Sequence, residues 1–374
     1  MKSNLPGEKS YSNAYRQFVL IILTGMYTLN YENRSLIFIL NIPIRKEFHL
    51  SYTQVGLLSG LSFAIFYAVI AIPIAKFADH SNRRNIVVLS MMLWSLFTMF
   101  SGLASSFLFL IVMRICVAIG EAGGSTPASA IISDYFPIKS RAASLSIFSS
   151  GIYIGGTIGS FVGGWLSQYF GWRAAFLAVG SPGIIYALIL LVTVKEPARG
   201  YSEEMKPETI QNISFIERWK YLARRKTFPF LSFAGGLTAF VSFSMVTFLP
   251  QFFSSIYKIK EGEIGSLISL KGVAAVLVSL GCGFITDRLA IRDKRWYLWV
   301  PAITTITSFP FFLLLLIGHH NILELSLTCF FRSFFLNAYI GHAFLVTHLL
   351  VPPQMRSFST AILLFFINMI GQGM

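Results

Sequence analysis

Apolar residues come in this chain as long unbroken blocks, without the short periods that mark the half-buried helices and strands of a soluble fold. Short polar segments separate the blocks. A helix needs roughly 20 apolar residues to cross about 30 Å of hydrocarbon. Runs of that kind predict eleven spanning helices, at 18–40, 55–77, 85–106, 107–132, 142–168, 173–194, 228–252, 263–286, 297–318, 322–346 and 357–374. The first follows a polar stretch, Met1 to Gln17, and carries Glu32 and Arg34. It is too long for the apolar region of a cleavable leader, so it reads as a retained helix.

One polar block is longer than the rest. Residues 195–227 contain Pro197 and Pro207, with an amphipathic stretch from Phe215 to Leu222. This block divides six spans from five. The expected organisation is a six-helix half at 1–194, a linker at 195–227 and a second half at 228–374.

Composition narrows the class further. The chain is 55% hydrophobic and 12% charged, against about 25% charged in soluble domains. That excludes a cytosolic enzyme, a disordered chain and a disulfide-stapled secreted domain, and leaves an all-α polytopic membrane protein. Cys116, Cys282 and Cys329 fall in apolar runs at unrelated spacings and read as small buried hydrophobes. The formal net charge of +14 could suggest nucleic acid, but the basic residues lie in short segments between the blocks, so no nucleic-acid partner is expected. With the N-terminus inside, 21 of the 30 basic residues fall in inside segments. Five, Arg45, Lys46, Arg173, Lys258 and Lys260, fall outside. The positive-inside rule then predicts a cytoplasmic N-terminus, in a bacterial inner membrane.

The chain also resembles itself. Ala75-Lys-Phe-Ala-Asp79-His80-Ser-Asn82-Arg83-Arg84 follows span two, and Gly283-Phe-Ile-Thr-Asp287-Arg288-Leu-Ala-Ile-Arg292 follows span eight. Arg114 in span four has a counterpart in Arg332 of span ten, and an offset of 215 aligns Arg141 with Arg356 and Gly156 with Gly371. Parallel six-helix repeats are an architecture of secondary transporters, with the substrate site between the halves. The same offset sets Met374 against Gly159, inside span five. The expectation is a truncated product whose second half lacks about 35 residues of the repeat.

An ionisable side chain at membrane depth costs about 2.5–3.5 kcal/mol on insertion scales and is a functional hypothesis by default. Six such residues occur: Glu32, Arg34, Arg114, Glu121, Lys271 and Arg332. At a rise of about 1.5 Å per residue, Arg34 and Arg114 both lie roughly 10 Å below the outer surface. Two arginines in one layer cannot pair with each other and are expected to want an anion between them. Glu121 follows Arg114 by seven residues, on nearly the same face and about 10.5 Å deeper. One face of span four thus presents a cation suited to a phosphate or carboxylate and a carboxylate suited to carrying a proton. The alternative is an Arg114–Glu121 pair that is purely structural. Lys271 and Arg332, on the opposite half, could complete a headgroup site. Gly120, Gly123 and Gly124 would permit close approach or bending, and the run Gly151, Gly155, Gly156, Gly159, Gly163 and Gly164 reads as helix packing rather than ligand contact. Nothing resembles a phosphate-binding loop, a zinc site or a nucleophile elbow, so no cofactor and no catalytic group are expected.

The two Asp-containing loops resemble the cytoplasmic signature of the major facilitator superfamily. The second keeps Gly283, Asp287, Arg288 and Arg292; the first keeps Asp79, Arg83 and Arg84. An acid at a helix end set against basic residues makes an ion-pair latch that can open and close. Leu29-Asn30-Tyr31-Glu32-Asn33-Arg34, Arg114-x5-Gly120-Glu121-Ala122, Gly171-Trp172-Arg173-x2-Phe176 and Val351-Pro352-Pro353-Gln-Met-Arg356 are similar to the spinster family of lipid transporters. The first two also resemble the organic anion:cation symporters. The resemblance implies a proton-coupled carrier. Taken with the repeat and the charges at membrane depth, the expectation is two six-helix repeats, the second truncated, in a monomer with substrate contacts at Arg34, Asn33, Arg114, Lys271 and Arg332. Its cargo would be a lysophospholipid-like amphiphile or a small organic anion. The alternatives are a sugar-acid symporter and a non-transporting remnant. Where the pattern of span one supplies a carboxylate this chain has Asn33, and Glu32 beside it points about 100° away. Either Glu32 takes over proton coupling alongside Glu121, or that carboxylate is lost.

Overall fold

The computed structural model describes residues 11–78, 81–198, 215–317, 321–336, 339–351 and 356–373. Every described element is helical. The first is α1 (Asn13–Phe48), capped by the Ser12 hydroxyl, which accepts from the Tyr15 amide at 3.2 Å. Its 36 residues reach about 54 Å at 1.5 Å per residue, far more than a bilayer core, so Arg45, Lys46 and Glu47 project beyond the membrane.

Span two is composite. The helix α2 (Tyr52–Gly56) opens with a Ser51/Gln54 capping box, widens into a π-helical turn over Leu57–Leu61 and continues as α3 (Ser62–Ala78). The Ser62 hydroxyl donates to the Leu57 carbonyl at 2.7 Å, the same acceptor that takes the Ser62 backbone N–H in the widened turn. Next come α4 (Arg83–Ser101), capped by Asn82, and α5 (Phe107–Ala122), capped by Ser106. The chain breaks at Gly123 (φ −91°, ψ 2°) before α6 (Ser125–Tyr135).

Spans five and six form one continuous element, α7 (Ile138–Thr193), interrupted only at Gly171, whose φ of 83° a residue bearing a Cβ adopts with strain. After the short α8 (Phe215–Arg224) come α9 (Thr227–Ile256), α10 (Glu261–Ala290) and α11 (Trp296–Ile317). Then follow α12 (Ile322–Leu336), α13 (Tyr339–Leu349) and α14 (Arg356–Gly373). Each of the eleven expected spans coincides with one of these helices or with a broken pair. Among the described residues, six stretches qualify as spans on length and hydropathy alone, and the longest of them holds two crossings. The polar residues of α1, Asn30 to Arg34 among them, are what weaken its signal.

Two cores lie among the first seven helices, one around Trp94, Tyr135 and Phe63, the other around Leu36, Trp172 and Phe176. A third joins Ile39 and Ile42 of α1 to Leu249 and Phe253 of α9, Ile264 of α10 and Cys329 of α12. The two groups of helices are therefore sealed together at the end where α1 finishes. The glycine run of α7 does the closest packing. A methyl at Gly155 would lie 2.9 Å from the Glu32 amide nitrogen, and one at Gly164 would lie 3.0 Å from the Cα of Gly265 in α10. Gly156 differs, with no neighbour inside 4 Å. The packing role expected of the run holds for its other members on α1 and α10, while Gly156 faces open space.

Candidate functional site

Gly120 sits so close to α4 that a methyl there would lie 2.7 Å from the Trp94 amide nitrogen, and α5 ends two residues later. Glu121 therefore occupies the last turn of α5, pressed into the first core. It is 1% exposed, and neither carboxylate oxygen makes a hydrogen bond of regular geometry, the Asn30 side chain being the polar group that approaches it. The charges of Arg34 and Arg114 and the side chain of Asn30 surround it.

The two arginines share a layer, as the sequence predicts. Both approach the same ring: the guanidinium carbon of Arg34 lies 4.4 Å from the centre of Phe63, and that of Arg114 lies 4.5 Å from it. Arg34 is also 5.4 Å from the rings of Tyr31 and Tyr67. Aromatic faces thus supply part of the negative potential that an intervening anion was expected to provide. Arg114 is buried, its Nε has no hydrogen-bond partner, and it lines a small closed pocket with Asn33, Thr98, Ser101 and Phe176. Asn33 donates to the Leu29 carbonyl at 2.8 Å, leaving its Oδ1 unsatisfied. An orphan donor and an orphan acceptor thus belong to residues of one pocket, an arrangement that accommodates a water or a polar ligand group. Arg114 and Glu121 do not form the structural pair considered above.

Glu32 stands elsewhere. It is buried where α1 meets Gly155 and Gly159 of α7, and no charged side chain among the described residues faces it. Arg332 of α12 is separate again, lining a cavity of about 190 Å³ between the two groups of helices. Ser35 and Phe38 of α1, Tyr153, Thr157 and Ser160 of α7, and Ser242 of α9 share that wall. The side chain of Lys271 lies outside the described residues, although its neighbour Gly272 also lines the cavity.

Of the expected latch, Asp79 and the side chain of Asp287 lie outside the described residues. Arg83 is held on three sides. It donates to Asp134 at 2.6 Å, to Glu196 at 2.7 Å and to the Pro197 carbonyl at 3.2 Å. The Arg84 amide donates to the other Glu196 oxygen at 2.8 Å. Arg288 and Arg292 are exposed. Asp134 and Glu196 escaped the sequence reading, since each looked like a solitary acid at a span end.

At the opposite end, Arg173 clasps Glu47 with two bonds, of 2.6 and 2.9 Å, and reaches the Ala104 carbonyl at 3.0 Å. The Trp172 indole donates to the same carboxylate at 2.7 Å. Arg173 beside it holds the Glu47 carboxyl below the usual carboxylate range. The Gly-Trp-Arg motif is thus a turn-and-clasp unit, with Gly171 providing the turn.

Comparison with known proteins bears on these sites. Residues 20–374 match the family model described as Major Facilitator Superfamily. The crystal structure of a bacterial homologue of the human lysosomal transporter spinster, inward-facing and unoccupied, superposes with a TM-score of 0.88 at 33% identity, over 97% of this chain and 81% of that one. An MFS-type efflux pump of Mycolicibacterium smegmatis is 31% identical over 94% of this chain and 80% of its own length. A probable L-galactonate transporter of Escherichia coli is 27% identical over 72% of this chain, which spans 61% of that protein.

Proposed function

Because this chain belongs to the major facilitator superfamily, we propose that it works as a secondary active carrier that exchanges protons at Glu121 while moving an amphipathic anion. The carrying observation is Glu121 itself: a buried carboxylate that forms no ion pair among the described residues, set near the buried Arg114, the half-buried Arg34 and the side chain of Asn30. An acid held that way needs either a proton or the full attention of the arginines. Ionised, it occupies Arg34 and Arg114. Protonated, it releases their charge to draw a negatively charged cargo inward. Protonation thereby sets the affinity for the anion, which is what coupling requires. Asn33 adds a polar group beside Arg114, and Glu32, remote from this cluster, takes the lesser part.

The carrier is a monomer in the bacterial inner membrane, with its N-terminus in the cytoplasm. Its halves, 1–194 and 228–374, rock about the cavity between them. The latch is built on Arg83 and Arg84 with Asp79, and on Arg288 and Arg292 with Asp287. Kinship with a spinster homologue supports a single-chain lipid as cargo. The hydroxyl-bearing part of the cavity wall, and kinship with an L-galactonate transporter, support a sugar acid as the second reading.

The test is flux of a fluorescent lysophosphatidylglycerol into proteoliposomes under an imposed pH gradient. Gradient-driven flux should vanish in Glu121→Gln and fall steeply in Arg114→Ala. Flux that survives Glu121→Gln with its pH dependence intact rejects the coupling assignment.

A further inference from the structure

Arg332 is 3% exposed, yet its Nη2 has no hydrogen-bond partner, and no carboxylate among the described residues faces it. Its nearest charge-compatible neighbour is the ring of Phe312, 5.9 Å from the guanidinium carbon. A guanidinium cannot shed its proton to relieve burial, so a site that buries it unpaired leaves room for an anion. That room exists, because Arg332 lines the cavity of about 190 Å³ between the halves. The Glu121 cluster does not reach this wall: Arg114 borders its own pocket within the first half.

The opposite wall fits the same kind of guest. Thr157 and Ser242 spend their hydroxyl protons on the carbonyls of Tyr153 and Thr238, at 2.7 and 2.9 Å. The Tyr153 hydroxyl has no such commitment among the described residues and can donate across the cavity. Phe38 and Leu336 give the remaining wall an apolar character suited to a hydrocarbon body.

We infer that Arg332 is the seat of the cargo's acidic group, a phosphate or carboxylate, held in the inter-half cavity apart from the Glu121 cluster. An anion there bonds the guanidinium of the second half and reaches Tyr153 of the first, so the cargo itself ties the two halves together. This rests on the carrier reading and deepens it: the charge that Glu121 releases on protonation draws the acid inward, and Arg332 is where that acid is held.

The experiment uses the full chain in lipid nanodiscs with three probes: a single-chain lysophosphatidic acid, D-glucuronate and an uncharged monoacylglycerol. The expected result is saturable binding of at least one acidic probe and none of the uncharged one, with Arg332→Gln weakening it tenfold or more and Arg332→Lys weakening it less. Preference between the two acidic probes tells a lipid headgroup from a free sugar acid. The melting temperature separates binding from architecture. Arg332→Met removes an unpaired buried charge, so the empty protein should melt higher than wild type while the rise caused by the probe disappears. Equal affinity in wild type and Arg332→Gln overturns the inference, as does a lower melting point of empty Arg332→Met or failure of both acids to bind. Arg332-dependent binding alongside pH-independent flux leaves this inference standing and rejects the coupling role of Glu121 alone.

Discussion

Arg83 and Asp134, fifty-one positions apart, meet at 2.6 Å with both side chains largely buried. The bond joins the start of α4 to the end of α6, and Glu196 extends it to the residues that leave α7. The arginine is thus a junction for three crossings at one end of the first half.

Removing one partner of a buried pair strands the other. Asp134→Asn should therefore cost about 3 kcal/mol of stability, the lower part of the range for breaking such a pair. Glu196→Gln, at a more exposed carboxylate, should cost less. Thermal melting in detergent, monitored by thiol labelling of Cys116, Cys282 and Cys329, ranks the two variants. A larger loss in Glu196→Gln contradicts the geometry.

Phe63 serves two cations with one ring. Replacing it by Leu keeps an apolar side chain but removes the π face. The change should cost about 1–2 kcal/mol beyond lost packing. Tyr67→Phe keeps its ring and gives up only a long 3.4 Å contact with Ser125, so it should be nearly silent. Melting curves of the two single variants, side by side, check the contrast.

Closure at the end where α1 finishes depends on Gly164 and Gly265 having no side chains. Gly265→Val should hold the halves apart there and abolish flux without unfolding the protein. A cysteine introduced at Gly156, which faces open space, should then react faster with a membrane-impermeant maleimide added on that side. Unchanged labelling would mean that the contact is not a gate.

The clasp of Arg173 on Glu47 should depend on pH in a definite direction. The folded carboxyl titrates below its ordinary value, so its contribution is complete above the unfolded carboxylate pKa and fades as pH falls through the folded one. Both side chains are well exposed, and Arg173→Gln should cost only about 0.5–1 kcal/mol at neutral pH. Melting temperatures of wild type and variant should converge in acid. A gap that widens there would contradict the assignment.

The spans were legible because the bilayer imposes one length and one polarity on every crossing. The break beneath Glu121 was legible too, since Gly120, Gly123 and Gly124 announce it. Pairings were another matter. Arg34 and Arg114 could be placed in one layer by counting residues, but Phe63, from another helix, left no periodic mark of its position against them. Asp134 and Glu196 sit far from Arg83 in sequence and join it only through the packing of α4, α6 and α7. The separation of Arg332 from the Glu121 cluster was equally hidden, because helix depth gives height along the membrane normal and nothing about azimuth.

The single left-handed residue in α7 has a mechanical consequence. With only Gly171 between them, the fifth and sixth crossings turn together like the two arms of a crank. The fifth arm bears on α10 and on the cavity; the sixth ends at Thr193, whose carbonyl is gripped by the Tyr15 hydroxyl, just before the acid that Arg83 holds. A displacement of the first arm should therefore be felt at the end of the second, where the long polar segment between the halves begins.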